Sequence, residues 1–291
     1  MNSAELTDRA LVRIDGEAAT EFLQNLITCD VEKLVEGAAT FGALLTPQGK
    51  ILFDFFCIKT GAGYLFDICE SLKADFIKRM TFYKLRTPVE IAAADDNLKI
   101  FSAWNDSGNF DLDDIDIEDG FAFIDPRLTA MGARIFSTGF EANTGLNDYN
   151  AHRIARGMPA GGEDYGFGEA FPHDAMMDQF ENEGTGVAFS KGCYVGQEVV
   201  SRMQHRGTAR RRIIIIKAEH TLPDPGTAID ADGKAIGTIG STNGNQGLAM
   251  MRLDRLSKAI AAGNAISAAG MALTAQLPQW SNLSLHVDAS S

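Results

Sequence analysis

The stretch Lys191-Gly192-Cys193-Tyr194-Val195-Gly196-Gln197-Glu198, running into Val199-Val200-Ser201-Arg202, constrains this chain more than any other. It places a turn of small residues, a single cysteine and a helix start within eight positions. Beyond Gly196, the apolar residues Val199, Val200 and Met203 fall on one helical face, while Glu198, Arg202 and Arg206 step by four along another. The spacing predicts a short amphipathic helix. A cysteine just ahead of a helix start meets unsatisfied backbone N-H groups and the positive end of the dipole, and Lys191 adds a cation, so the Cys193 thiolate is favoured. The glycines on either side permit a sharp bend and a close approach. The plainer alternative makes Cys193 a small buried hydrophobe.

At 291 residues the chain exceeds one ordinary core and implies two or three domains. A hydrophobic fraction of 45% beside 22% charged residues describes a soluble globular protein. The net charge of -13 argues against general nucleic-acid binding, which needs a basic surface. Cys29, Cys57, Cys69 and Cys193 show neither Cys-x-x-Cys nor Cys/His ligand spacing, so they read as reduced thiols and no metal is predicted. Residues 1–10 lack the apolar core of a secretory signal and the arginine-rich pattern of a transit peptide. No apolar run approaches a membrane span. These readings together predict a cytoplasmic protein with no membrane partner.

Taken in order, Leu11 to Ile14 reads as a strand, and Asp15 is placed to cap a helix bearing Ala18, Ala19, Phe22, Leu23, Leu26 and Ile27. Phe41 to Ile58 reads as two strands joined by a turn at Thr46-Pro47-Gln48-Gly49-Lys50. In the second strand Asp54 shares a face with Leu52, Phe56 and Ile58, because side chains alternate. A carboxylate on an apolar face suits a group that holds a proton or meets a ring nitrogen, or one paired with a nearby Arg or Lys. Tyr64 to Cys69 continues as a strand, and Ser71 caps a helix with Leu72, Phe76, Met80 and Tyr83 on one stripe, stopped by Pro88. Val89 to Ala94, Lys99 to Trp104, Phe121 to Asp125 and Ala133 to Ser137 give further strands, an α+β pattern.

Asp111 to Gly120 holds six carboxylates in nine residues, but Ile115 takes the fifth ligand position of a calcium loop and no glycine takes the sixth, which leaves a solvated acidic loop. Asn147 caps a helix carrying Arg153 and Arg156, and the glycine-rich passage 157–168 lacks the spacing of a phosphate cradle. Val187-Ala188-Phe189 reads as a strand delivering the chain to Lys191, and Met176 and Met177 as core or cavity wall. After Gly207, Arg210-Arg211-Arg212 opens a series of short strands as a solvated edge or part of an anion site, with the edge favoured. Turns at Asp224-Pro225-Gly226, Asp232-Gly233 and Asn243-Gly244 argue for a small β-barrel or sandwich, and residues 281–291 read as a frayed tail.

The segment Lys191 to Arg202 resembles the signature of the YgfZ family, folate-binding proteins related to the glycine-cleavage T-protein and implicated in making or maintaining iron-sulfur enzymes. That signature is Lys-Gly-Cys, an aromatic, any residue, Gly-Gln-Glu, and an Arg four beyond the Glu; Lys191, Gly192, Cys193, Tyr194, Gly196, Gln197, Glu198 and Arg202 match it. Phe22-Leu23-Gln24 resembles the end of the family's first helix. The resemblance implies an α+β, three-domain T-protein-like ring with a central folate cavity. Residues 1–45 and 146–206 would form a discontinuous folate-binding domain, 46–145 a ferredoxin-like domain and 207–291 a C-terminal β-barrel. Where many relatives carry Asn, this chain has Met176. Where T-proteins carry Asp-Asp, it has Phe53-Asp54, which counts against aminomethyl transfer and leaves a pterin contact open.

By this resemblance the chain binds tetrahydrofolate or a derivative and supports iron-sulfur cluster assembly or repair, with iron-sulfur client or assembly proteins as partners. Asp54 would meet the pterin, Arg153 or Gln197 the polar groups of the folate, and Cys193 would be the reactive thiol. The alternative is a folate-dependent one-carbon (aminomethyl or methyl) transferase with Asp54 as its base. A thiol switch at Cys193 is a third reading, for which no second cysteine lies nearby in sequence.

Overall fold

A computed structural model describes residues 1–95 and 97–285. The chain divides into two compact units, Met1–Tyr149 with Phe180–Val199, and Asn150–Gln179 with Val200 onward. The first unit contains β1 (Asn2–Glu5), β2 (Arg9–Asp15), α1 (Ala19–Gln24), β3 (Ala39–Leu45), β4 (Ile51–Lys59), β5 (Gly63–Cys69), α2 (Lys73–Lys84), β6 (Glu90–Ala93), β7 (Lys99–Trp104), β8 (Gly120–Ile124) and β9 (Ala133–Ser137). They build two antiparallel sheets, one ordered β3-β4-β5-β2-β6 and the other β1-β7-β9-β8.

Strand alternation decides what each sheet face does. In β4, Phe53, Phe55 and Cys57 join Val12, Ile14, Tyr64 and Phe66 in a core closed by Phe22 and Leu23 of α1 and by Phe76 and Met80 of α2. Phe76 is the hub of that core. Its ring lies 5.4, 5.7 and 5.5 Å from those of Phe53, Phe55 and Phe66, distances at which edge-on and tilted aromatic pairs attract beyond their burial. The opposite face of the same sheet carries Arg9, Asp54, Phe56 and Asp67, and Phe56 meets Phe123 of β8 at 6.0 Å. The second sheet turns Phe101, Ala103 and Ile135 away from that layer, onto Phe110, Ile115, Ile117 and Phe140.

The helices α3 (Leu146–Arg156) and α4 (Gln197–Arg206) carry the chain between units, and the second unit holds β10 (Arg211–Lys217), β11 (Ala228–Ala231), β12 (Lys234–Asn243), β13 (Gln246–Arg252), α5 (Leu253–Ala261), β14 (Ile266–Ala268) and β15 (Met271–Gln276). The strands close into a barrel ordered β10-β13-β12-β11-β14-β15. Four consecutive isoleucines in β10 are explained by burial on both sides: Ile214 and Ile216 fill the barrel with Ile229, Ile236 and Leu273, while Ile213 and Ile215 pack on Ile154, Met176 and Leu248. At the β11–β12 hairpin both Asp232 and Gly233 have positive φ, 51° and 69°, the demand of a tight turn matched to strand twist.

Several local expectations are corrected. Asp15 does not cap α1; it ends β2, where Arg13 engages it at 2.5 Å, and the cap position falls on Ala18. Ser71 lies in a 3-10 turn ahead of α2, and α3 starts before Asn147, with Asp148 Oδ2 accepting from the Gly145 N-H. Val187 to Phe189 forms no strand; Gly186 and Ala188 make single backbone bonds to Phe41 and Thr28. The arginine triplet is a solvated edge only in part: Arg210 and Arg211 are exposed, whereas the third arginine is not. Arg212 is 5% exposed, bonded to both oxygens of Asp178 and to the His173 carbonyl, and Arg211 pairs with Asp174. Residues 281–285 are anchored rather than frayed: the Asn282 N-H reaches Gln179, and Leu283 and Leu285 pack on apolar clusters. Residues 286–291 lie outside the described residues.

Phe76→Ala is expected to lower stability by about 3–5 kcal/mol in urea unfolding, the range for emptying a buried aromatic site. Phe82→Ala, on the solvent side of the same helix, should stay within about 0.5 kcal/mol of the parent.

Candidate functional site

The loop between Ser190 and Gln197 is pinned at three points. The Lys191 ammonium turns inward, donating to the carbonyls of Ile27 at 2.8 Å and Cys29 at 2.7 Å, and lies 5.5 Å from the Tyr194 ring centroid. Tyr194 is itself buried at 7% exposure. Gly196, at φ 81°, passes so close to the β3–β4 turn that a Cβ there would lie 2.5 Å from the Thr46 carbonyl oxygen. Only a glycine fits such an approach. Between these anchors Cys193 is exposed, four residues before α4 begins at Gln197. The motif is therefore a pedestal, and its fixed positions surround the residue it presents.

This geometry corrects two expectations. Lys191 is not a cation beside the Cys193 thiolate, since its ammonium is bound to two backbone carbonyls in the interior. Burial pulls its pKa below the ordinary lysine value, against the opposing pull of Cys29 and Asp30. Of the two glycines flanking Cys193, only Gly196 adopts a left-handed backbone; a Cβ on Gly192 would meet nothing within 4 Å.

Beneath the loop lie two thiols that the sequence alone did not single out. Burial pushes Cys29 up to about 12, with Lys191 and Thr40 pulling the other way. Burial and then the neighbouring Cys29 raise Cys57 as well. Both are fully buried and Cys69 is partly so, which leaves Cys193 as the thiol most openly on display.

The second feature is the charged layer between the two sheets of the first unit. Asp54 is 5% exposed and belongs to it. Arg9 donates to Asp67 Oδ1 at 2.6 Å and to the Asp67 carbonyl at 2.7 Å. Burial alone would lower the Arg9 pKa, but the carboxylates of Asp67 and Asp54 outweigh it and hold the guanidinium charged. Arg134 approaches Asp67 at 3.5 Å and lies 4.3 Å from the Phe56 ring centroid. Arg127, chelated by Asp125 at 3.0 and 2.7 Å, stacks at 4.6 Å on the same ring and at 4.9 Å on Phe41. Phe56 thus takes a guanidinium from each of two arginines, an arrangement strengthened where water is excluded. Asp67 carried the signal that flagged Asp54, a carboxylate inside an apolar strand; Arg9 and Arg134 carried none, because Arg9 meets Asp67 from the neighbouring strand and Arg134 from the other sheet, neither of them local in sequence.

Arg153 sits in the second unit with partners of its own. It donates to Asp164 at 2.8 Å and Ser241 at 3.2 Å, and pairs with Glu163. Gln197 is the first residue of α4 and is half-buried. Met176 is fully buried with φ at 62°, a left-handed conformation that asparagine tolerates better than methionine.

Lys191→Met should cost about 2–4 kcal/mol, because two carbonyls lose charge-assisted donors. In alkylation of the native protein at pH 8 followed by peptide mass spectrometry, Cys193 should label readily. Cys29 and Cys57 should label only after unfolding, since a thiol near pKa 12 is about 10⁻⁴ ionised there.

Comparison with known proteins bears on fold and location. Residues 210–283 match the family described as CAF17, C-terminal beta-barrel domain. The chain is similar to the mitochondrial iron-sulfur cluster assembly factor IBA57 of Homo sapiens, 28% identical with 94% of this chain and 84% of that protein covered. It is also similar to the mitochondrial IBA57 homolog of Coccidioides immitis, 27% identical with 87% and 71% covered. Among solved structures, the glycine cleavage system aminomethyltransferase T from Bartonella henselae matches with a TM-score of 0.72 at 14% identity, covering 96% of this chain and 86% of that one. The cytoplasmic expectation is overturned by the IBA57 relatives, which are mitochondrial. Reduced thiols report a reducing compartment and do not say which one. The fold is that of aminomethyltransferase T, α+β with a closed C-terminal six-stranded barrel.

Proposed function

We propose that this chain is an accessory protein of iron-sulfur cluster assembly that presents one thiol, Cys193, to a client or assembly partner and binds a tetrahydrofolate-type ligand with the help of Asp54. The observation that carries the reading is the pedestal: an exposed cysteine fixed between the buried anchors Lys191 and Tyr194 and the close approach of Gly196 to the β3–β4 turn. Its support comes from similarity to cluster assembly factors over most of the chain. Thiolates are the usual ligands of iron-sulfur clusters, which take four. One displayed thiol supplies one ligand, so a cluster handled here would be shared with a partner that brings the others.

The folate part rests on the resemblance of the Lys191 to Arg202 segment to a folate-binding family, and the chemistry around Asp54 is compatible with it. Asp54 is a buried carboxylate in a layer of arginines and aromatic rings, able to accept from a ring N-H or an exocyclic amine of a pterin. Its neighbour in sequence is Phe53, which points into the hydrophobic core, and the other carboxylate on this face, Asp67, is engaged by Arg9 and Arg134. That favours binding over a reaction needing paired acids.

Calorimetric titration with tetrahydrofolate should show saturable binding that Asp54→Asn weakens at least about tenfold and Cys193→Ser leaves unchanged. In cells deprived of the chain, the activity of iron-sulfur enzymes should return with the parent and not with Cys193→Ser. Absence of binding would remove the folate arm, and full rescue by Cys193→Ser would remove the thiol arm.

A further inference from the structure

The outer side of α2 carries a patch for which the core has no use. Phe76 and Met80 face inward, whereas Lys78, Arg79 and Phe82 stand one turn apart on the exposed side, followed directly by exposed Leu85 and Arg86. Phe82 is 68% exposed and Leu85 is 83% exposed. Leu85 also adopts φ 48° and ψ -107°, a backbone conformation disfavoured for a bulky side chain, and no burial offsets it. From Lys73 to Arg86 the chain has five basic residues and one acidic one, in a protein whose net charge is -13. A local concentration of cations around two apolar side chains thus stands out against an acidic whole.

We propose that this face is a docking site for an acidic segment, carrying apolar side chains, of a partner protein. The field around the patch decides between occupants. Screening confines each charge to about 8 Å at physiological salt, so a short acidic segment seated on the patch feels Lys78, Arg79 and Arg86 and little of the remaining negative charge. An anionic membrane is an extended plane that meets the acidic surroundings as well, and two apolar residues give it a shallow foothold. The chain's own acidic stretch, Asp111 to Asp119, covers the far face of the other sheet through Ile115 and Ile117. With Ile115 and Ile117 packed against its own sheet, that stretch keeps Leu112 as its one large exposed apolar side chain, a poor match for the apolar pair on a second copy.

The test uses the full chain and a synthetic helical peptide with Glu on one face and Leu and Phe on the other, read by fluorescence anisotropy. The controls are the same peptide with Lys for every Glu, phosphatidylserine vesicles, and sedimentation of the chain alone. The acidic peptide should bind and weaken severalfold as salt rises. The double substitution Arg79→Glu with Phe82→Ser should reduce binding at least about tenfold with little change in Tm. Leu85→Gly should move the two readouts oppositely, keeping or raising Tm by relieving strain while weakening the peptide. A purely structural role for Leu85 would lower Tm instead. Failure of the acidic peptide to bind, equal binding of the lysine peptide, or binding indifferent to these substitutions would overturn the proposal. Vesicle capture or self-association abolished by the same substitutions would assign the patch to a membrane or to a second copy, and would overturn it too.

Discussion

The bonds from the Lys191 ammonium to the carbonyls of Ile27 and Cys29 tie residues far apart in the chain, and the candidate site depends on that tie. A lysine is well suited to it. Its four-carbon stem can pass through an apolar interior while the head group supplies up to three donors to backbone oxygens that have no strand partner. Burying an ammonium is costly, so the arrangement holds only because both carbonyls are aimed at it. Once it is set, Tyr194 and Gly196 fix the rest of the loop, and Cys193 has little freedom in where it is presented.

The first unit applies a different solution between its sheets. Most two-sheet layers are filled with aliphatic side chains. Here one part of the layer holds Arg9, Asp67, Arg134 and Asp54, with Phe56 as the apolar plate against which guanidinium groups lie. Such a layer gains little net stability over a hydrophobic one, because desolvation offsets the attraction between the charges. What it provides is fixed, oriented donors and acceptors in a place sheltered from water, the condition under which a polar ligand is recognised by position rather than by charge alone.

Local periodicity carried much of the architecture. The alternation in Phe41 to Ile58, the stripe Phe76-Met80, the isoleucine run and the turn residues Asp232-Gly233 each reflect one neighbour relation along the chain, and the elements they imply are present. The helix starts were harder to read: Asp15, Ser71 and Asn147 all have capping chemistry, yet two are held in other local structure and the third lies inside its helix. Capping is a competition, and the sequence shows the competitor only when it is adjacent. Lys191 was misread for the same reason, because its partners lie more than 160 positions away. The arginine triplet failed differently. Three consecutive cations look solvated, and two of them are, but a buried aspartate, Asp178, is brought against the third at the start of the strand.

The interleaving of the two units has a consequence during protein synthesis. Because the first unit needs Phe180–Val199 as well as Met1–Tyr149, its last piece leaves the ribosome only after the intervening segment that belongs to the second unit. At about 5–20 residues per second, the early sheets must wait several seconds or more for Lys191 to reach the carbonyls of Ile27 and Cys29. A nascent chain at that stage leaves the carbonyls of Ile27 and Cys29 without the ammonium that the finished protein aims at them. The assembly of the thiol pedestal is therefore among the late events of the chain's own birth, and a chaperone that shields the N-terminal sheets would act in that interval.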